Sequence, residues 1–119
     1  MEAKRFLFLL KHPPQSGVIN GELFDQVLTL AAFDQSVSVL FMEEGVYQLI
    51  SRSGETDSAA EHTGRLAALA FYGIDSVWVE SESLSRRGLS LDGSAIPVQA
   101  IRRESVAGLI ARHDVILGD

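Results

Sequence analysis

The chain has 119 residues, 46% of them hydrophobic and 22% charged, proportions that fit one globular domain spanning residues 1–119 and exclude a disordered or fibrous polymer. With 16 acidic and 10 basic residues the net charge is −6; pairs such as Arg86–Arg87 and Arg102–Arg103 are too small for a phosphate-neutralising patch, so direct binding to nucleic acid is not expected. The absence of cysteine removes disulfides, Cys-ligated zinc, iron–sulfur clusters and thiol catalysis together.

The first element is "RFLFLLK" (5–11), a continuous apolar and aromatic run that suits a strand buried on both faces. Its apolar core is far short of the ~20 residues of a membrane span. No small-residue cleavage site follows the basic start, as a secretory leader requires, and a cytoplasmic protein with no membrane contact is expected. "HPPQSG" then breaks the chain, because two prolines and a glycine cannot continue a ladder. From Asn20, read as an N-cap, "GELFDQVLTLAAF" places Leu23, Val27, Leu30 and Ala31 on one helical face. "SVSVLFM" (36–42) is the second strand, and "EEGVYQLI" (43–50) turns off it as a short helix.

"SRSGETDS" reads as a loop. The capping-box pattern at Ser58 and Glu61 opens a helix running to about Tyr72, with Gly73 as its C-cap. "SVWVE" (76–80) is the third strand, running out into polar residues, and "SLSRRGL" a short helix stopped by Gly88. "AIPVQAI" (95–101) carries an early proline and is expected as a fourth strand near an edge. "ESVAGLIARH" is the last helix and "DVILG" (114–118) the last strand. Five strands alternating with helices predict an α/β fold, a three-layer α/β/α sandwich on a five-stranded parallel sheet. The first two strands are expected in its interior.

Ligands bind outside the carboxyl ends of such strands, so any site chemistry is expected there. After strand one neither GxGxxG nor GxxxxGK[ST] is present, and the lone His12 reads as a loop residue. A receiver domain would want an acidic cluster there. After strand two, Glu43 and Glu44 read as helix-start acids that diverge. After strand three, Glu80 and Glu82 read as solvated loop acids, since a sugar site would need more aromatic platforms. His12, His62 and His113 show no ligand spacing, and no GxSxG elbow holds a serine. No catalytic residue, metal or cofactor is therefore expected. Val46, Tyr47, Phe71, Tyr72 and Trp78 lie near strand ends and helix termini, more apolar surface than so small a chain is expected to cover itself. They form the candidate partner interface.

Three stretches together, "AAFDQSVSVLFMEEGVYQLI", "VWVESESLSRRGL" and "HDVIL", resemble the DsrF/TusC-type subunits of the DsrEFH/TusBCD sulfur-relay family, with near-colinear spacing from residue 5 onward. The acidic-acidic-Gly-Val-aromatic-Gln-Leu element is the most specific of them. The resemblance implies a flavodoxin-like sandwich within a heterohexamer, two copies each of this chain and of DsrE/TusD-like and DsrH/TusB-like sisters. It also implies a DsrC/TusE-like sulfur carrier reached through the complex. In the DsrE/TusD-type sister the sulfur-bearing cysteine ends the strand that matches "SVWVE"; here Trp78 and its neighbours stand in its place. The resemblance thus implies a non-carrying subunit, serving tRNA wobble-uridine 2-thiolation or, alternatively, dissimilatory sulfur oxidation. A stand-alone flavodoxin-like module and a receiver-like regulator stay open as other classes, the missing phosphate loop counting against the first and the missing acidic cluster against the second.

Overall fold

A computed structural model describes residues 4–13, 17–50, 66, 68–69, 71–74, 76–94 and 96–118. Strand β1 (Arg5–Leu10) is followed by helix α1 (Gly17–Ala32), strand β2 (Ser36–Phe41), a 3₁₀ turn (Glu43–Gln48), strand β3 (Ser76–Glu80), helix α2 (Ser81–Arg86), strand β4 (Gln99–Ile101), helix α3 (Arg103–Ala111) and strand β5 (Val115–Gly118). The five strands form one sheet in the order β4-β3-β2-β1-β5, every pairing parallel. The expected fold class is observed, with the two continuous apolar runs, β1 and β2, in the interior.

The strand order explains the layers. Each step from β1 to β4 moves the same way across the sheet, so right-handed crossovers keep those connections on one face. The step from β4 to β5 runs back past three strands, which puts α3 on the other face. Two apolar clusters result. Phe8, Leu10, Val39, Phe41, Val77 and Val79 meet Phe24 and Val27 of α1 and Leu84 of α2 on the first face. Leu7 and Leu40 meet Val106 and Leu109 of α3 on the second. Flavodoxins share the layers and the parallel sheet but order their strands 2-1-3-4-5; the likeness therefore stops short of connectivity.

Most element boundaries match their sequence signals, and three depart from them. Helix α1 begins at Gly17, so Asn20 lies in its first turn and is no N-cap. Helix α2 starts at Ser81, leaving no loop after β3. Strand β4 is limited to Gln99–Ile101, because Pro97 has no N–H to give a ladder, and it does form an edge. The helix expected from Ser58 lies largely outside the described residues, though Leu66, Ala68, Leu69 and Phe71 are helical.

Helix ends repeat one device. Gly73 (φ 78°) and Gly88 (φ 66°) take left-handed conformations, and Ile74 N–H and Leu89 N–H close six-residue loops onto Leu69 O and Leu84 O, the Schellman arrangement. Helix α1 ends the same way, through Gln35 N–H to Leu30 O, but its left-handed residue is Asp34 at φ 60°. A side chain there is disfavoured, so Asp34→Gly should stabilise the chain by about 0.5–1 kcal/mol. Thermal melts of the two proteins check this, and a lower midpoint for the glycine variant counts against it.

Candidate functional site

In a parallel sheet a binding crevice opens where neighbouring strands send their connections to opposite faces. Here β3 leads to α2 on one face and β4 leads to α3 on the other, so the crevice lies at the carboxyl ends of β3 and β4. Glu80 is the last residue of β3 and Arg103 the first of α3, which puts both at that point.

They close it. Glu80 is 1% exposed, and Arg103 Nη2 donates to its Oε1 at 2.8 Å. The fully buried Ser83 hydroxyl donates to the same oxygen at 2.6 Å and accepts Glu43 N–H at 2.8 Å. Arg103 also reaches Glu43 at 3.4 Å, and Arg87 stands 3.7 Å from the second oxygen of that carboxylate. Arg87 Nη1 donates to Ser83 O at 3.1 Å. Arg102, the N-cap of α3, offers no side-chain cap, and Glu82 supplies one from α2 by accepting Arg103 N–H at 2.9 Å. One network thus ties the 3₁₀ turn, α2 and α3 to the end of β3.

Burial opposes ionisation of Glu80, yet hydrogen bonds from Arg103 and Ser83 and the charge of Arg103 outweigh it and hold the carboxyl below its ordinary range. The same contacts raise Arg103 further. Both groups are charged at neutral pH, and neither is poised to exchange a proton with a substrate. The reading of Glu80 and Glu82 as solvated loop acids is therefore corrected. Glu80 shares the strand parity of Trp78, which turns it toward α3, and Glu82 is half-buried at the helix start. Glu43 and Glu44 do diverge, Glu43 inward to the arginines and Glu44 to solvent.

Beside this network lies an open cleft of about 410 Å³ lined by Glu43, Glu44, Tyr47, Arg86 and Arg87. Glu43 carries φ 51° there, a backbone state that costs a non-glycine residue of order 1–3 kcal/mol and persists only where its surroundings hold it. The Ser83 hydroxyl on its N–H and two arginines on its carboxylate do so. Among the described residues no three His, Asp or Glu side chains gather as metal ligands.

The five candidate interface residues do not form one surface. Val46 is 0% exposed within the main core, because the 3₁₀ turn folds it inward, and it is corrected from interface to core. Tyr47 is half-buried and lines the cleft. Trp78 is half-buried at mid-strand, against the cluster beneath α3. Phe71, 85% exposed, and Tyr72, 47% exposed, sit at the opposite pole with their rings edge-to-face at 5.4 Å. Tyr72 there borders a groove lined also by Asp34, Ser36 and Ser76, at the amino ends of β2 and β3. Neither Arg103, read only as half of a basic pair, nor Ser83 carries a site signal in the sequence: Arg103 is 23 positions from Glu80, and only the topology brings the two together.

A family model described as DsrE/DsrF-like matches residues 4–117. A protein named TusC homolog from Pseudomonas aeruginosa is 28% identical over 97% of this chain and 98% of its own length. A protein from Allochromatium vinosum named intracellular sulfur oxidation protein DsrF is 35% identical over 75% of this chain and 66% of its own length. Among solved structures, the ychN protein of Escherichia coli superposes with a TM-score of 0.81 at 13% identity, covering 98% of this chain and 99% of that one, a likeness of fold alone.

Proposed function

This chain belongs to the DsrE/DsrF-like family, and we propose that it is a non-sulfur-carrying subunit of a heterohexameric sulfur-relay complex in the cytoplasm. Its sisters are the DsrE/TusD-like and DsrH/TusB-like subunits, and the complex hands sulfur to a DsrC/TusE-like carrier for 2-thiolation of the tRNA wobble uridine. The observation that carries the reading is the crevice between β3 and β4. In a chain with no cysteine, the crevice is filled by the Glu80–Arg103 ion pair. Relay transfers sulfur when a thiolate attacks the outer sulfur of a persulfide, which forms a new persulfide and releases the first thiol as thiolate. Neither a serine nor the thioethers of Met1 and Met42 can take that part. The chain's contribution is positional: Trp78, Phe71 and Tyr72 pack against sister subunits and hold a sister's cysteine where the carrier can reach it.

The test pairs two measurements. Incubated with a cysteine desulfurase and free cysteine, the isolated chain should show no persulfide mass shift. Leaving it out of the reconstituted complex should slow transfer to the carrier at least about tenfold, as loss of a positioned site does. Unchanged transfer by the remaining subunits overturns the role. The identity to the DsrF protein favours a second reading, sulfur oxidation in place of tRNA thiolation. Deleting the gene and measuring 2-thiouridine in total tRNA separates the two, since only the first reading lowers it.

A further inference from the structure

The cleft between the 3₁₀ turn and α2 divides its charges unequally. Glu43 and Arg87 are satisfied within the chain, by each other and by Arg103 and Ser83 O. Glu44 and Arg86 are exposed on the rim. Among the described residues neither makes a hydrogen bond or ion pair; Arg86 acts only at a distance, on Glu80. Tyr47 lies half-buried between these groups and the core. The left-handed Glu43 precedes Glu44 directly, and its anchors on Ser83 and Arg103 fix the backbone from which Glu44 projects. One unpaired charge of each sign is thus displayed on a rigid frame beside the crevice of the fold.

We propose that this cleft docks a transiently bound protein that presents an acidic side chain to Arg86 and a basic one to Glu44. The assignment rests on the relay reading for the identity of that protein, the sulfur carrier. A phosphate polymer or anionic membrane is disfavoured, because Glu44 and Glu43 stand beside the arginines and repel it. A permanent subunit interface is disfavoured as well, because such interfaces are depleted of charge at their centre. Paired opposite charges on a pre-organised surface instead suit encounter and release: they set partner choice and association rate more than lasting affinity. The carrier would thereby approach the complex partly through a subunit that holds no sulfur.

The experiment measures binding of the purified DsrC/TusE-like carrier to the immobilised intact complex by surface plasmon resonance at low and moderate salt. Arg86→Glu and Glu44→Lys should each weaken binding about three- to tenfold, mostly through a slower association rate and with a flatter salt dependence. Arg86→Lys, which keeps the charge, should stay near wild type. All three complexes should elute from size exclusion as the wild type does, because among the described residues neither side chain makes an intrachain hydrogen bond or ion pair. Unchanged carrier binding by both reversals, in a complex that still transfers sulfur, overturns the docking assignment and leaves the relay reading standing. Loss of subunit assembly in the variants also overturns it, by making the cleft a permanent interface. A wild-type complex that neither binds nor sulfurates the carrier overturns both.

Discussion

Gly45→Ala is expected to destabilise the chain by about 4 kcal/mol or more, a magnitude reserved for a few mechanisms of which steric conflict in a packed region is one. A Cβ on Gly45 would stand 1.8 Å from the carbonyl oxygen of Leu10 and 2.7 Å from its carbon. Both are backbone atoms of an interior strand, and the same oxygen accepts Met42 N–H at 3.1 Å. Leu10 therefore cannot retreat without giving up that bond, nor can the turn lift without uncovering Val46. Gly73→Ala is the control. Gly73 has φ 78° and open space around it, so alanine costs only the left-handed penalty of about 1–2 kcal/mol. Thermal melts followed by circular dichroism should place the Gly45 variant at least about 10 °C below the control. Midpoints within a degree or two of each other would show that the turn yields easily and that its contact with β1 is not rigid.

That contact marks the boundary of what local pattern can reveal. The glycine in "MEEGVYQLI" reads as a turn residue, which is right, but the Leu10 carbonyl that forbids a Cβ comes from a strand 35 residues earlier. The same limit governs Val46: its apolar character is plain, while its direction depends on a 3₁₀ path that no periodicity announces. Interior strands were legible because β1 and β2 are apolar on both faces, which only a doubly covered strand tolerates. The stops at Gly73 and Gly88 were legible because a left-handed C-cap is a local requirement. Glu80 was not, because a carboxylate after a strand is usually solvated, and the group that reverses that expectation arrives only after β4. Its parity with Trp78 was the available signal, since it assigns the side chain to the face that α3 covers. Phe71 and Tyr72 are the converse case. Their apolar bulk suggested a surface in need of a partner, and the structure leaves them exposed, but at the pole away from Tyr47.

Arg103→Met should lower the melting temperature more than any other single change to the charged network, and the reason lies with the group left behind. Glu80 is buried, and removing the partner of a buried charge leaves its desolvation uncompensated. Arg102→Met is the control: that side chain is exposed and among the described residues pairs only with Glu104 at 3.5 Å, a contact worth about 0–1 kcal/mol. Glu80→Leu combined with Arg103→Met should recover much of the loss, since an apolar pair of similar volume needs no compensation. Acid sensitivity then tests the charge itself. The Glu80 carboxyl in the folded chain lies below its ordinary value of 4.5. Its contribution is therefore complete above that value and is lost as pH falls through the lower, folded one. Asp114, held low by the Arg5 backbone N–H at 2.8 Å, adds a separate loss over the acid range. Glu80→Gln should leave the Asp114 part intact and make the fall in stability on acidification shallower, while starting from a lower plateau at neutral pH. Urea titrations at a series of pH values read both features. An acid limb identical to that of the wild type would mean that Glu80 keeps its proton in the fold and that Arg103 meets a neutral acid, and the account of a crevice closed by an ion pair would fail.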